Sequence, residues 1–222
     1  MAWSARSSTA TSCPPLAPPI TISWVIDHTS GGRLGLCHCP GKTIIRGSQV
    51  LSARDLATDL AALKSHGVTG LVCLLNTAEL RVSICFCHAH LDCHADRLPS
   101  LQCYGLRDYD KEVQERGILL LCHPIIEMCV PDSFEAAAAF VNDLVTELEA
   151  GHVLAMHCRE GIGRAGMMAA CCMLRLGMAA SSAEAIREVR RLRCPTAVET
   201  ARQEQFVKAY DEFLKAGRPN KE

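Results

Sequence analysis

Ten consecutive residues, 157–166, have the sequence HCREGIGRAG, in which Cys158 is followed after five residues by Arg164. The thiolate is the nucleophilic form of cysteine, and a guanidinium, backbone amides or a helix N-terminus can stabilise it. The same groups bind phosphate, because a planar guanidinium matches two phosphoryl oxygens. We therefore expect Cys158 to attack a phosphoryl group. The residues expected to bind the phosphoryl oxygens are Arg159, Glu160, Gly161, Ile162, Gly163 and Arg164.

The segments on either side of these ten residues must position them. Residues 153–156 form a short apolar run that predicts a strand, and the apolar residues from 166 onward predict a helix. A loop between a strand and a helix N-terminus points backbone N–H groups at an anion. Gly161 and Gly163 have no Cβ, so the backbone can approach the oxygens closely. Attack by the thiolate would give a cysteinyl-phosphate that water then hydrolyses.

The same letters allow two other interpretations. Gly161, Gly163 and Gly166 match the G-x-G-x-x-G pattern of dinucleotide-binding folds. That pattern requires an acidic residue at the end of a second strand about 20 residues later, but residues 181–193 predict a helix. Cys158 could also be an ordinary core residue beside an incidental arginine, because unpaired cysteine is often a small apolar residue of the interior.

Strands alternate with helices along the chain, which predicts an α/β fold with a central, mostly parallel sheet of four to five strands flanked by helices. Apolar or β-branched runs predict strands at 21–26, 70–75, 118–125 and 153–156. Helical periodicity and capping residues predict helices at 54–66, 106–116, 133–150, 181–193 and 199–216. Residues 31–42 contain Gly and Pro and are expected to form a loop.

Composition limits the classes of function. The 222-residue chain has a net charge of −1, which indicates neither nucleic acid nor an acidic membrane surface as a partner. Its 14 cysteines, with no continuous apolar segment near the N-terminus, predict reduced thiols in an intracellular protein. Residues 1–20 are rich in Ser, Thr, Ala and Pro and are expected to be a disordered extension rather than a transit peptide, followed by one domain at 21–217.

The ten-residue segment resembles the HCxxGxxR signature of the protein tyrosine phosphatase superfamily. The stretches PPITISW, LGLCHCPGK, ILLLCHPIIEMCVPD and AVETARQEQFV are similar to the cyclin-dependent kinase-associated phosphatase (cyclin-dependent kinase inhibitor 3) family. The resemblance implies the dual-specificity cysteine-phosphatase fold and hydrolysis of phosphothreonine, phosphoserine or phosphotyrosine, without a metal or other cofactor. It also implies a cyclin-dependent kinase as substrate and partner, and a monomeric cell-cycle protein in the cytoplasm, with the nucleus as a second location.

The resemblance also suggests a proton donor, which is needed to expel an alkoxide or phenolate. Glu127 occupies the aspartate position of the family, and Asp132 ends the same loop as a second choice that could equally cap the next helix. Ala165 replaces the usual Ser or Thr, whose hydroxyl helps the thiolate to leave. Glu199 stands where many tyrosine phosphatases have a glutamine that orients the hydrolytic water. We favour another interpretation, in which Glu199 is an acidic residue in the first turn of a helix, stabilised by the helix dipole. His157 is expected to hold the loop rather than act as a base.

An insertion interrupts the family pattern between residues 81 and 103. It contains many thiols and imidazoles, but their spacing is too tight for the usual zinc elements, so we expect a surface loop. A retained intron over 82–102 is a further interpretation. Cys37, His38 and Cys39 are likewise expected to be packing residues rather than metal ligands. The insertion's candidate ligands are Cys85, Cys87, His88, His90, Cys93 and His94.

Two alternatives to a phosphatase remain, a phosphate-binding module with little turnover and a rhodanese-like sulfurtransferase.

Overall fold

The computed structural model describes residues 17–46, 49–81 and 108–217. The strands are β1 (Ser23–Asp27), β2 (Arg33–Cys37), β3 (Thr43–Arg46), β4 (Gln49–Ala53), β5 (Gly70–Cys73), β6 (Leu119–Cys122) and β7 (Val153–His157). The helices are α1 (Leu56–Ser65), α2 (Thr77–Arg81), α3 (Tyr109–Glu115), α4 (Phe134–Glu149), α5 (Gly163–Arg175), α6 (Ser182–Leu192) and α7 (Ala201–Ala216).

A five-stranded sheet with the order β1-β2-β7-β5-β6 forms the centre of the fold. Strands β2, β7, β5 and β6 are parallel, and β1 pairs antiparallel with β2 at one edge. This arrangement confirms the predicted α/β fold with a mostly parallel sheet. Strand β7 is the middle strand, so the loop that follows it lies at the centre of the sheet's carboxyl edge.

Strand β2 lies inside the segment 31–42, for which a loop was predicted, and that prediction is wrong. Gly35 breaks the apolar pattern because Ile22 occupies the space above it: a Cβ at Gly35 would lie 2.1 Å from the Ile22 Cγ2 atom. The glycine therefore permits close packing between neighbouring strands instead of ending one. The hairpin of β3 and β4 was not predicted either.

Helices pack on both faces of the sheet. The larger buried cluster consists of apolar side chains from one face of the sheet and from helices α4, α5, α6 and α7. Helices α1 and α3 cover the other face and contribute to the smaller cluster. Side chains of α5 are buried along nearly its whole length, which explains its apolar sequence. Ile20, just before the predicted start of the domain, is buried in the smaller cluster. Within the described ranges, no helix has both the length and the apolar character required to cross a membrane.

The helix boundaries follow local signals in the sequence. The side chain of Ser133 accepts a hydrogen bond from the Ala136 amide and begins α4 as predicted. Ser181 caps α6 in the same way. Thr200 and Gln203 form a reciprocal capping box at α7, which therefore begins at Ala201. Residues 82–103 of the predicted insertion, on which its three interpretations depend, and residues 1–16 lie outside the described part of the chain.

Candidate active site

Cys158 directly follows the central strand β7, and Gly163 begins α5 only five residues later. The Cys158 side chain is nearly buried, with 4% exposure, and lines a small pocket. Glu127, Arg164 and Glu199 also line this pocket. The structure thus brings together the predicted cysteine and arginine with two of the predicted carboxylates.

Four consecutive carbonyl groups of the loop, those of residues 159–162, accept hydrogen bonds on the outer side of the loop. The Arg159 carbonyl accepts from the Cys39 amide at 3.2 Å. Arg193 donates to the carbonyl groups of Glu160 at 2.7 Å and Gly161 at 3.1 Å. The Ile162 carbonyl accepts from the amides of Val198 and Gly166. In a trans peptide the C=O and the following N–H point in opposite directions, so the amides of residues 160–163 point away from these outer partners and can converge on an anion.

Gly161 is a position where only glycine fits. Its φ angle is +67°, and a Cβ there would lie 2.1 Å from the carbonyl oxygen of Cys37. Both the backbone conformation and the contact with the end of β2 therefore exclude a side chain. Gly163 is restricted for another reason, since its Cβ would lie 2.2 Å from a Glu199 carboxylate oxygen.

The Arg164 guanidinium is buried and fixed by three hydrogen bonds. It donates to both carboxylate oxygens of Glu79, at 2.8 and 2.9 Å, and to the Ile125 carbonyl at 2.8 Å. Burial opposes its charge, but the Glu79 hydrogen bonds hold the pKa of Arg164 above its usual value. Glu79 could not be identified from the sequence, because it lies 85 residues from Arg164 and belongs to no motif.

His157 is a buried, neutral residue beneath the loop. Its Nε2 lies 2.6 Å from the Tyr109 hydroxyl and its Nδ1 lies 3.2 Å from the Cys158 carbonyl oxygen. A carbonyl can only accept, so Nδ1 carries the proton and Nε2 accepts from Tyr109. Burial lowers the pKa of His157 to about 4. This geometry agrees with a role in holding the loop, and Tyr109 is a partner that the sequence did not reveal.

This histidine should make the stability of the fold depend on pH. Its pKa is about 4 in the folded protein and about 6.5 in an unfolded chain. The unfolded state therefore binds the extra proton as the pH falls from 6.5 to 4, and up to about 3 kcal/mol of stability is lost in that window. Urea unfolding at pH 7 and pH 4.5 measures this loss. His157→Asn should reduce it, whereas replacement of the exposed His66 by Asn should leave it unchanged.

The Glu160 side chain anchors the outer side of the loop. Its carboxylate binds the nearly buried ammonium of Lys42 and accepts from His38 Nδ1 at 2.8 Å. Burial opposes the charge of Glu160, but the hydrogen bonds of His38 and Lys42 lower the pKa of its carboxyl to about 2. The carboxylate therefore stays ionised and links the loop to the segment after β2.

We expect Lys42→Met to reduce kcat/KM about tenfold, because a small misplacement of the loop weakens transition-state binding. The affinity for inorganic phosphate should fall as well. In a double-mutant cycle with Glu160→Gln the two losses should not add, since both variants break one contact. Lys64→Met, which removes an exposed lysine bonded to a carbonyl, is the matched control. Additive losses would contradict the anchoring role.

The two carboxylates predicted as acids differ in position. Glu127 lines the pocket together with Cys158, and its Oε1 atom lies 2.5 Å from Arg159 Nη1. Asp132 is exposed, directly before the Ser133 cap of α4, and is not among the residues that line this pocket. The residue after Glu127, Met128, has a φ angle of +62°, an unusual conformation for a residue with a side chain.

Glu199 is not in the first turn of a helix, so the favoured interpretation was wrong. Thr200 is the N-cap of α7, and Glu199 precedes it in the wall of the pocket. The buried Gln203 side chain holds this wall: its Oε1 accepts from the Glu199 amide at 2.9 Å, and its Nε2 donates to the Cys129 carbonyl at 3.3 Å. Gln203 thereby connects α7 to the loop that carries Glu127, a role that the sequence did not indicate.

Two further predictions concern residues near the loop. Ala165 is fully buried in α5, so no hydroxyl group follows Arg164. Cys37 and Cys39 are fully buried packing residues, as predicted. Across the described ranges, no group of three or more potential ligands could hold a metal ion.

Comparison with known proteins gives a consistent result. The family described as "PTP-SAK: Swiss Army Knife protein, DSP-PTPase phosphatase domain" matches residues 115–207. Cyclin-dependent kinase inhibitor 3 of Homo sapiens is 28% identical over 202 residues, covering 89% of this chain and 82% of that protein. The protein of the same name from Rattus norvegicus is also 28% identical with the same coverage.

Solved structures are similar over most of the chain. Kinase-associated phosphatase, with its catalytic-site cysteine substituted by serine, has a TM-score of 0.70 and 26% identity, covering 90% of this chain and 99% of that one. PTPMT1 has a TM-score of 0.60 at 16% identity, covering 88% and 97%, and supports the fold alone.

The fold, the relatives and the loop between β7 and α5 define a cysteine-dependent protein phosphatase of the dual-specificity class. This class is supported over the sulfurtransferase alternative. Within the class, the chain is similar to cyclin-dependent kinase inhibitor 3 over most of its length.

Proposed function

We propose that Cys158 is the nucleophile of this phosphatase and that Arg164 and the amides of residues 159–164 bind the phosphoryl group. The observation that supports this most directly is the outer anchoring of four loop carbonyl groups, which turns the intervening amides inward. Donors fixed in advance need no reorganisation when negative charge develops on the phosphoryl oxygens. Metal ions are not required in this scheme, since Arg164 and the amides neutralise the charge.

Glu127 is the proposed general acid, and it would act as the base when water attacks the cysteinyl-phosphate. Its position in the pocket with Cys158 favours it over Asp132. Glu127 is paired with Arg159 in this structure, so the carboxylate must exchange that partner for the leaving-group oxygen during the reaction. Arg159 would then be available to the phosphoryl group or to a neighbouring part of the substrate.

The proposed substrate is a phosphothreonine on a cyclin-dependent kinase. The names of the relatives, cyclin-dependent kinase inhibitor 3 and kinase-associated phosphatase, support a kinase partner. The described residues that line the pocket include no aromatic side chain that could sandwich a phosphotyrosine ring. A role in the cell cycle, a monomeric state and a location in the cytoplasm and nucleus belong to the same proposal.

A panel of phosphopeptides tests the proposal. Peptides with phosphothreonine, phosphoserine or phosphotyrosine in a kinase activation-loop sequence are incubated with the wild type and with Cys158→Ser. We expect phosphate release from the phosphothreonine peptide by the wild type, and binding without release by Cys158→Ser. Faster release from phosphotyrosine would contradict the substrate proposal, and release by Cys158→Ser would contradict the nucleophile.

A second candidate is a phosphate-binding protein of the same fold with little turnover. Ala165 favours it, since no hydroxyl group is present there to assist departure of the thiolate. This candidate predicts a burst of one product equivalent per enzyme followed by very slow phosphate release. Steady release without a burst would favour the efficient enzyme.

A further inference from the structure

Two cysteines outside the catalytic loop end neighbouring strands of the sheet. Cys73 is the last residue of β5 and Cys122 is the last residue of β6. They are direct register partners in this parallel pair. Neighbouring parallel strands are about 4.8 Å apart, and the Cα atoms of a disulfide are usually about 4.4 to 6.8 Å apart. The backbone thus has a spacing that a disulfide can bridge.

The two thiols differ in their surroundings. Cys73 is buried, with 1% exposure, whereas Cys122 is exposed. A hydrogen bond from the Cys73 thiol lowers the pKa of Cys122, and the same bond, together with burial, raises the pKa of Cys73. An accessible cysteine with more thiolate is the one that oxidants attack, and an adjacent thiol can resolve the product.

Four other thiols of the described residues are not accessible in this way. Cys37, Cys39, Cys171 and Cys172 are fully buried, and burial raises the pKa of each of them. Cys194 is partly exposed, and its sulfur lies 3.5 Å from the Thr196 hydroxyl oxygen. It can therefore serve as a control for simple exposure.

We propose that Cys73 and Cys122 are a dithiol that hydrogen peroxide oxidises to a disulfide between the ends of β5 and β6, independently of Cys158. The Cys122 thiolate attacks one peroxide oxygen, the S–O bond forms, and the O–O bond breaks with release of hydroxide. Cys73 sulfur then attacks the sulfenic sulfur of Cys122. The S–S bond forms, the S–O bond breaks, and the departing hydroxide takes the Cys73 proton and leaves as water. Two electrons pass from the sulfurs to the peroxide.

Peptide mapping tests the proposal. The full chain, as wild type and as Cys158→Ser, is treated with hydrogen peroxide, alkylated, and digested without reductant by trypsin and by a protease that cleaves after glutamate. Cleavage after Glu127 separates Cys122 from Cys129. In both proteins we expect one cross-linked pair of peptides containing Cys73 and Cys122, lighter by two hydrogens than the sum of the reduced peptides and released by dithiothreitol.

Three variants make the outcome specific. In Cys73→Ser, dimedone should trap a sulfenic acid at Cys122, because no neighbouring thiol resolves it. Cys122→Ser should abolish the cross-link and leave Cys73 unoxidised, whereas Cys194→Ser should form the cross-link like the wild type. Failure of the cross-link in the Cys158→Ser protein, or pairing of Cys122 with a different cysteine, would overturn the proposal.

Discussion

Replacing Arg164 by lysine is expected to lower kcat/KM for an aryl phosphate by about 10²–10³-fold, the cost of losing a fixed donor at developing negative charge. The guanidinium binds both Glu79 oxygens and the Ile125 carbonyl, so its orientation is set before substrate arrives. A lysine ammonium keeps the charge but cannot bond two carboxylate oxygens and two phosphoryl oxygens in one plane. The measurement is steady-state phosphate release, with circular dichroism as a check of folding.

The control for this variant is Arg175→Lys, at the other end of the same helix. Arg175 is exposed and donates from Nε to the Asn142 side chain at 2.7 Å. The Arg175→Lys substitution should change kcat/KM less than about twofold, because a surface substitution rarely alters the geometry of a distant active site. A loss below threefold for Arg164→Lys, or equal losses for both variants, would contradict the assigned role of Arg164.

Glu127→Gln is expected to reduce kcat for phenyl phosphate by about 10²–10³-fold, the usual contribution of a general acid. Glutamine keeps the size of the side chain but has no proton to give to the leaving oxygen. The loss should be much smaller for p-nitrophenyl phosphate, whose phenolate leaves readily without a proton. This dependence on the leaving group separates a lost acid from a merely disturbed pocket.

Asp132→Asn is the decisive comparison for the acid. Asp132 is exposed at the start of α4, and its variant should retain turnover within about threefold and the same ratio between the two substrates. Glu135→Gln, which alters an exposed acid in the first turn of α4, should behave like the wild type. If Asp132→Asn shows the loss and Glu127→Gln does not, the assignment of the acid is reversed.

Features of the site that depend on neighbouring residues could be predicted from the sequence. The strand, the glycines and the helix around Cys158 follow one another within about twenty residues, so their order alone indicates an anion-binding loop. Helix starts were equally local, because Ser133 and Ser181 cap through residues three positions later. Alternation of strands and helices sufficed for the parallel sheet.

Contacts between distant residues could not be predicted in this way. Glu79 meets Arg164 across 85 residues, and Tyr109 meets His157 across 48. Neither partner belongs to a pattern, and only the assembled sheet brings them together. Strand β2 was missed because its Gly35 was interpreted as a loop residue. The structure shows instead that this glycine is required by packing, since it leaves space for Ile22.

The central claim is that Cys158 itself receives the phosphoryl group. Rapid mixing of the enzyme with a ³²P-labelled phosphothreonine peptide, followed by denaturation within milliseconds and peptide mapping, tests it most directly. We predict transient label on the peptide that contains Cys158, decaying at the rate of phosphate release, and none in Cys158→Ser. Phosphate release at the same rate without any labelled protein, or label on another residue, would contradict it.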